Sequence, residues 1–317
     1  MKRLLALIMA LFVLSSCAAA ADKTETAKAD SEARISVVAT LFPQYDFARQ
    51  IAGGRASVKL LLPAGMESHS YEPTPSDIVA INKCDVFLYT GAEMEPWTQT
   101  LLDGGLESDT LVVDLSQGIA MSETESVTPD DGHEHDEESH HHVVDLHIWT
   151  SPVNAMAMVK AVCDAFCERD PDGESIYREN LDKYLKELES LDNDIRSIVE
   201  NGNRKEIVFG SRYAFHYFSE EYGLTCYAAY DSCSEENEAS AGAVAGIIDL
   251  VNEKNIPVIY HEEMIDPKVA RAIADETGAE LLMMHSAHNL SKDEMASGET
   301  YLSIMRKNAE NLRKGLN

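Results

Sequence analysis

From position 35 the chain alternates short apolar runs with longer stretches in which apolar residues recur every three or four positions. ISVVAT (35–40), SVKLLLP (57–63), CDVFLYTG (84–91) and TLVVDL (110–115) have the length and composition of buried strands. Between them PQYDFARQIAG (43–53), PSDIVAINK (75–83) and a stretch around 95–105 carry helical spacing, the first closed by glycine. SPVNAMAMVKAVCDAFCERD (151–170) is a further helix with Pro near its start. The second half repeats the scheme. EIVFG (206–210), LTCYAAY (224–230), IPVIYHEE (256–263) and AELLMMH (279–285) predict strands. RYAFHYFSEEYG (212–223), EASAGAVAGIIDLVNEK (238–254), DPKVARAIADETG (266–278) and SGETYLSIMRKNAENLRKGL (297–316) predict helices.

Two such runs imply an α/β fold of two lobes with mostly parallel sheets flanked by helices. Between them, ESIYRENLDKYLKELESLDNDIRSIVENG (174–202) places Tyr177, Leu181, Tyr184, Leu185, Leu188, Leu191, Ile195, Ile198 and Val199 on one stripe, at spacings that alternate between three and four. That predicts one amphipathic helix of about 25 residues, ~37 Å long, joining the lobes as a rigid rod. A rod of this kind permits small tilts and no wide hinge. The expected division is an N-terminal lobe over 35–170 interrupted by a loop at 121–145, a connecting helix over 171–202, and a C-terminal lobe over 203–317.

Residues 1–34 do not follow the pattern. Lys2 and Arg3 precede LLALIMALFVL, then come Leu14-Ser15-Ser16-Cys17. A basic start, a short apolar run and a small-residue cleavage site form a secretory signal over 1–16. Cys17 stands where a bacterial lipoprotein is acylated, so lipidation at Cys17 is expected. Residues 17–34, small and polar, read as a flexible tether. No later segment has the roughly 18 continuous apolar residues of a membrane helix. The expected location is the extracytoplasmic face of a bacterial membrane, held by a lipid.

Charge narrows the partners. Lys+Arg number 26 against 55 Asp+Glu, and loss of Lys2 and Arg3 leaves 24 against 55, a formal charge of −31. That argues against nucleic acid and anionic lipid surfaces as partners and weakly favours a cationic ligand. Beyond Cys17 stand Cys84, Cys163, Cys167, Cys226 and Cys233, without zinc-ribbon spacing. Cys163 and Cys167 read as buried thiols, and Cys226 and Cys233 are candidates for a bridge.

The histidines carry the chemistry. GHEHDEESHHHVVDLHIWTSP, residues 132–152, holds six of them. His133, His135, His140, His141 and His142 lie among acidic residues with no apolar pattern, which reads as a mobile, weakly chelating tract. His147 differs, because Ile-Trp-Thr-Ser-Pro follows at once as an ordered helix entry. His69, His147, His216 and His285 all fall near predicted strand C-termini, two from each lobe, where open parallel sheets bind ligands. His261 reads as ordinary packing or solvent contact.

GMESHSYEPTPSDI (65–78) resembles the first metal-histidine motif of the zinc- and manganese-binding class of ABC-transporter substrate-binding proteins. DLHIWTSP (145–152) resembles that family's D-P-H-x-W-x-S-P, with Leu146 in place of proline. The connecting helix, IPVIYHEE and the final helix match as well, so the resemblance spans roughly 35–317. It implies one metal ion in a cleft between lobes, delivered to an ABC permease and its ATPase by a protein expected to be a monomer. The family's third ligand position holds Arg212, which stays protonated and cannot ligate. His216, one turn on, is the substitute. Seven residues after Gly278, where the family carries a carboxylate, stands His285. The expected metal set is therefore His69, His147, His285 and His216, with Glu67 and His288 as auxiliaries.

Neutral imidazoles suit tetrahedral Zn²⁺ better than Mn²⁺, which prefers oxygen ligands and six-fold geometry. Binding is expected to weaken below about pH 6 as imidazoles protonate. The function implied is zinc capture without chemistry. A zinc hydrolase is the alternative: His261-Glu262-Glu263-Met264-Ile265 opens like H-E-x-x-H, with Glu262 or Glu263 as base, yet Ile265 stands where the second His is needed. A metal buffer or adhesin working without a transporter is the third reading.

Overall fold

The computed structural model describes residues 34–67, 71–106, 109–120, 146–211, 213–229 and 239–317. The expectations for the signal segment, Cys17, His69, the clustered histidines, Arg212 and Cys233 lie outside these residues. Strand β1 (Ile35–Ala39) leads into helix α1 (Phe42–Ala52), followed by β2 (Ala56–Leu60), α2 (Pro75–Ile81), β3 (Val86–Tyr89), α3 (Pro96–Asp103) and β4 (Leu111–Asp114). A 3-10 turn, Ile148–Thr150, then opens α4 (Pro152–Arg169). The second lobe runs β5 (Glu206–Phe209), α6 (His216–Tyr222), β6 (Thr225–Ala228), α7 (Ala241–Lys254), β7 (Val258–His261), α8 (Lys268–Thr277), β8 (Glu280–Met283), α9 (Lys292–Ser297) and α10 (Tyr301–Leu316).

Both sheets are parallel and share one order, β2-β1-β3-β4 and β6-β5-β7-β8. The α/β expectation of two helix-flanked lobes therefore holds. In this order the chain reverses direction of travel across the sheet beside β1 and β5, which opens a crevice at their C-terminal ends. Gly210 closes β5 where a Cβ would lie 2.3 Å from Ala270 Cα, so only glycine lets α8 pack this close.

The connector is α5 (Glu174–Asn201), 28 residues long, or about 42 Å. Its buried stripe is the one the spacing predicts, except that Leu185 is only half-buried. It packs against α4 and α1 of the first lobe and α10 of the second, so one apolar core runs through both lobes. At its start Asp170 accepts from Arg55 Nε (2.8 Å) and Tyr177 OH (2.7 Å). Asp46, buried in α1, accepts the Tyr301 amide at the first residue of α10 (2.9 Å), one lobe capping a helix of the other.

Two expectations change. The helix predicted from Arg212 begins only at His216: Tyr213, Ala214 and Phe215 are all buried ahead of it, and Phe215 has the non-helical φ −126° and ψ 28°. Tyr213 OH donates to Phe215 O (2.9 Å), and Phe209, Tyr213 and Phe215 pack ring to ring. Helix α9 was not read from the pattern, although its capping box, Ser291 with Glu294, is spelled in SKDE. Cys84, Cys163, Cys167 and Cys226 are free thiols, so Cys226 is not bridged.

Candidate metal centre

His147 sits at the entry to α4, 2% exposed. Thr150 fixes it from below, its amide (3.0 Å) and hydroxyl (2.7 Å) both donating to His147 O. Ser151 then caps α4 by accepting the Asn154 amide (3.3 Å). Trp149, fully buried, donates from Nε1 to Ser286 O across the lobe boundary (2.8 Å), and its own carbonyl accepts Tyr301 OH (2.6 Å). The motif His147-Ile-Trp-Thr-Ser-Pro thus places the imidazole in the seam between lobes.

The opposite wall is the turn 285–290, buried at every residue. Its Ala287 has φ +59°, an unusual conformation for a residue with a Cβ. Glu263, just beyond β7, holds the turn: Oε2 accepts the Ser286 amide (2.8 Å) and Oε1 the Ser286 hydroxyl (2.5 Å). Asn308 of α10 pairs with the backbone of His285 in both directions (2.9 and 2.8 Å). Held this way, the turn puts the His288 ring edge-on to His147, centroids 5.1 Å apart, with Trp149 5.5 Å from His288. Two imidazoles on one tetrahedral zinc at 2.0–2.1 Å would have ring centres about 5 Å apart. His288, expected only as an auxiliary, is the residue that faces His147.

His285 looks the other way. The Ala287 amide donates to its Nδ1 (2.9 Å), and its Nε2 stands 3.5 Å from Glu294 Oε1. The amide thus engages Nδ1, while buried Nε2 has no hydrogen-bond partner among the described residues. Burial pushes the ring's pKa down, but the charges of Glu263 and Glu294 outweigh it and hold it above the usual histidine value. The His285 ring in turn draws the Glu294 carboxyl down to about 2. His285 contacts Glu294 and the Ala287 amide, whereas His288 is the ring of this turn that meets His147. Seven residues after a glycine found the right turn, three residues short of the ring that faces the seam.

His216 is the first residue of α6, its ring 4.3 Å from Tyr213, and α6 packs against the 3-10 turn that follows His147. Glu67, half-buried, ends the described part of the loop after β2. Among the described residues no three His, Cys, Asp or Glu side chains converge as a complete metal cluster. His147 and His288 are candidate ligands whose rings meet in the seam. His261 donates from Nδ1 to Glu262 O (2.7 Å), an ordinary contact. Glu263, considered as a hydrolytic base, spends both oxygens on Ser286. The residues that sequence reasoning passed over are Ser286, Asn289, Glu294 and Asn308. None belongs to a recognisable motif, and only the Ser291–Glu294 capping box could have drawn notice to one of them. No described helix is long and apolar enough to cross a membrane.

The model of a family described as periplasmic zinc-uptake complex component A (ZnuA) matches residues 37–315. The high-affinity zinc uptake system protein ZnuA of Bacillus subtilis is 33% identical over 96% of this chain and 97% of its own length. The zinc-binding lipoprotein AdcA of Streptococcus pneumoniae is 31% identical over 90% of this chain, which spans 56% of AdcA. The Zn(II)-bound ZnuA-like domain of pneumococcal AdcA superposes with a TM-score of 0.74 at 28% identity, covering 89% of this chain and 98% of that domain.

Proposed function

Since the chain belongs to the family of periplasmic zinc-uptake complex A components, we propose that it captures Zn²⁺ outside the cytoplasm and delivers it to an ABC permease and its ATPase. Zinc is the cargo, held by neutral imidazoles and released intact. The observation that carries this reading is the His147–His288 pair, buried in the seam with ring centres 5.1 Å apart. His69 and His216 are the further proposed ligands, with Glu67 as a nearby oxygen donor. A histidine set of this kind favours Zn²⁺ over Mn²⁺. His285 supports the turn through Ala287 and Glu294. The rigid connector and continuous core support capture by small tilts. The chain acts without catalysis, a reading supported by the full engagement of Glu263 at Ser286. Cys17 is proposed as the lipid anchor, and the five clustered histidines of the 121–145 loop as a weak, fast-exchanging collector.

Native mass spectrometry of the chain with limiting and then excess Zn²⁺ tests the reading, beside a variant lacking residues 131–142 and His147→Ala. One tight zinc that survives loop deletion and is lost with His147→Ala is the expected result. Loss of all tight binding on loop deletion would overturn the cleft as the site.

A further inference from the structure

The buried turn that carries His288 also grips the opposite lobe. Asn289, 1% exposed, donates from Nδ2 to Pro63 O (2.8 Å) and to Met66 O (2.9 Å), while its Oδ1 accepts the Leu290 amide (2.8 Å). Leu290 O in turn accepts the Gly65 amide (2.7 Å). Pro63 to Met66 is a tight turn in its own right, with the Met66 amide donating to Pro63 O (3.1 Å) and Gly65 at φ +80°. The Asn289 amide therefore bridges the first and last carbonyls of that turn.

Burial does little to fix this loop. Pro63, Gly65 and Met66 are exposed, Met66 at 43%. Apolar packing, which orders most loops, has little area to act on here, so directional bonds from the other lobe must supply the order. Asparagine suits the task because one planar amide offers two donors and an acceptor at a fixed spacing. Aspartate keeps the acceptor and loses both donors, serine keeps one donor, and alanine none.

We propose that Asn289 is a positioning residue for zinc capture, holding the loop after β2 in register with the His147–His288 seat. Adjacent residues of one buried turn do not move independently. His288 aims its ring at His147 while its carbonyl accepts the Phe42 amide of the first lobe (3.4 Å). Asn289 clamps the loop at Pro63 and Met66, directly before Glu67, the oxygen donor proposed for the seat. Loosening the clamp lets the loop drift from the seat, and the metal leaves faster although the His147–His288 pair is untouched. This rests on the seam being the zinc seat.

The test uses the full chain with Asn289→Asp, Asn289→Ser and Asn289→Ala. Zinc dissociation is followed by stopped-flow transfer to a chromogenic chelator, beside Co²⁺ absorption spectra and apo melting curves. We expect one tightly bound metal per chain and an unchanged spectrum of the tightly bound Co²⁺ throughout. Dissociation should quicken by about tenfold in Asp and Ala, with Ser between them and wild type, the size expected for two lost hydrogen bonds. Dissociation rates that match wild type while only the melting point falls would make Asn289 merely structural and overturn the proposal. A wild-type chain that binds no tight metal would instead overturn the seat itself. Should Ala or Asp fail to fold, the Ser variant, which keeps the acceptor and one donor, carries the comparison alone.

Discussion

The two lobes share a strand order, yet they spend the crevice at the centre of each sheet differently. In the first lobe the crevice is closed from within. Gln44 Oε1 accepts the Thr40 and Leu41 amides (3.0 and 2.8 Å) and the Thr40 hydroxyl (2.7 Å), and its Nε2 donates to Thr90 Oγ1. Glu95 accepts the Thr90 amide (2.6 Å) from the same side. In the second lobe the acidic residue after β7, Glu263, instead holds the turn bearing His288. One topology therefore yields a scaffold bonded within itself and a mount for the interlobe turn. The loop side chains decide between them, because the strands supply only the address.

The sharpest way to break this contrast is to remove one residue from each side. His288→Ala should weaken zinc binding by more than about 100-fold, beyond the range of an outer supporting contact, with folding little changed. Gln44→Ala should do the reverse. It deprives the Leu41 amide and the Thr40 and Thr90 hydroxyls of their partner, a cost of about 3 kcal/mol in stability, while zinc affinity in the folded protein stays within about twofold. Calorimetric titration with Zn²⁺ and urea unfolding of both variants would show it. A Gln44 variant that loses zinc selectively would end the distinction between scaffold and mount.

Glu95 sharpens the picture. It is 4% exposed, its Oε1 has no partner among the described residues, and burial pushes its carboxyl up to about 7. The folded pKa lies above the usual carboxylate value, so the folded state holds the proton more firmly and this group's contribution to stability falls as pH rises from about 4.5 through 7. Glu95→Gln removes that dependence. Its stability relative to wild type should rise by about 2 kcal/mol between pH 5 and pH 8. Parallel pH profiles for the two proteins would refute the assignment.

The smallest effect concerns the join. Asp46 caps α10 across the lobe boundary, but burial also raises its pKa, so its charge is held at a cost. Asp46→Ala should therefore destabilise by only about 1 kcal/mol. Equilibrium unfolding measures this, and a loss above about 3 kcal/mol would mean that the cap governs the lobe interface.

Much of this protein is legible in its sequence because local signals suffice for it. Apolar runs of strand length, glycine-closed helices and a three-four repeat over 174–202 specify elements whose periodicity is a property of the backbone itself. The motif around His147 was equally plain, since an ordered helix entry follows it directly. What only the tertiary structure decided was orientation. His285 and His288 lie three residues apart in one turn, and no spacing rule tells which ring faces His147. That depends on Glu263, Asn308 and the φ of Ala287, contacts up to 23 residues away. The non-helical course of Tyr213 to Phe215 was hidden for the same reason. A helical pattern yields where ring packing such as that of Tyr213 and Phe215 on Phe209 fixes another backbone course, and Phe209 is in place only once the sheet has formed.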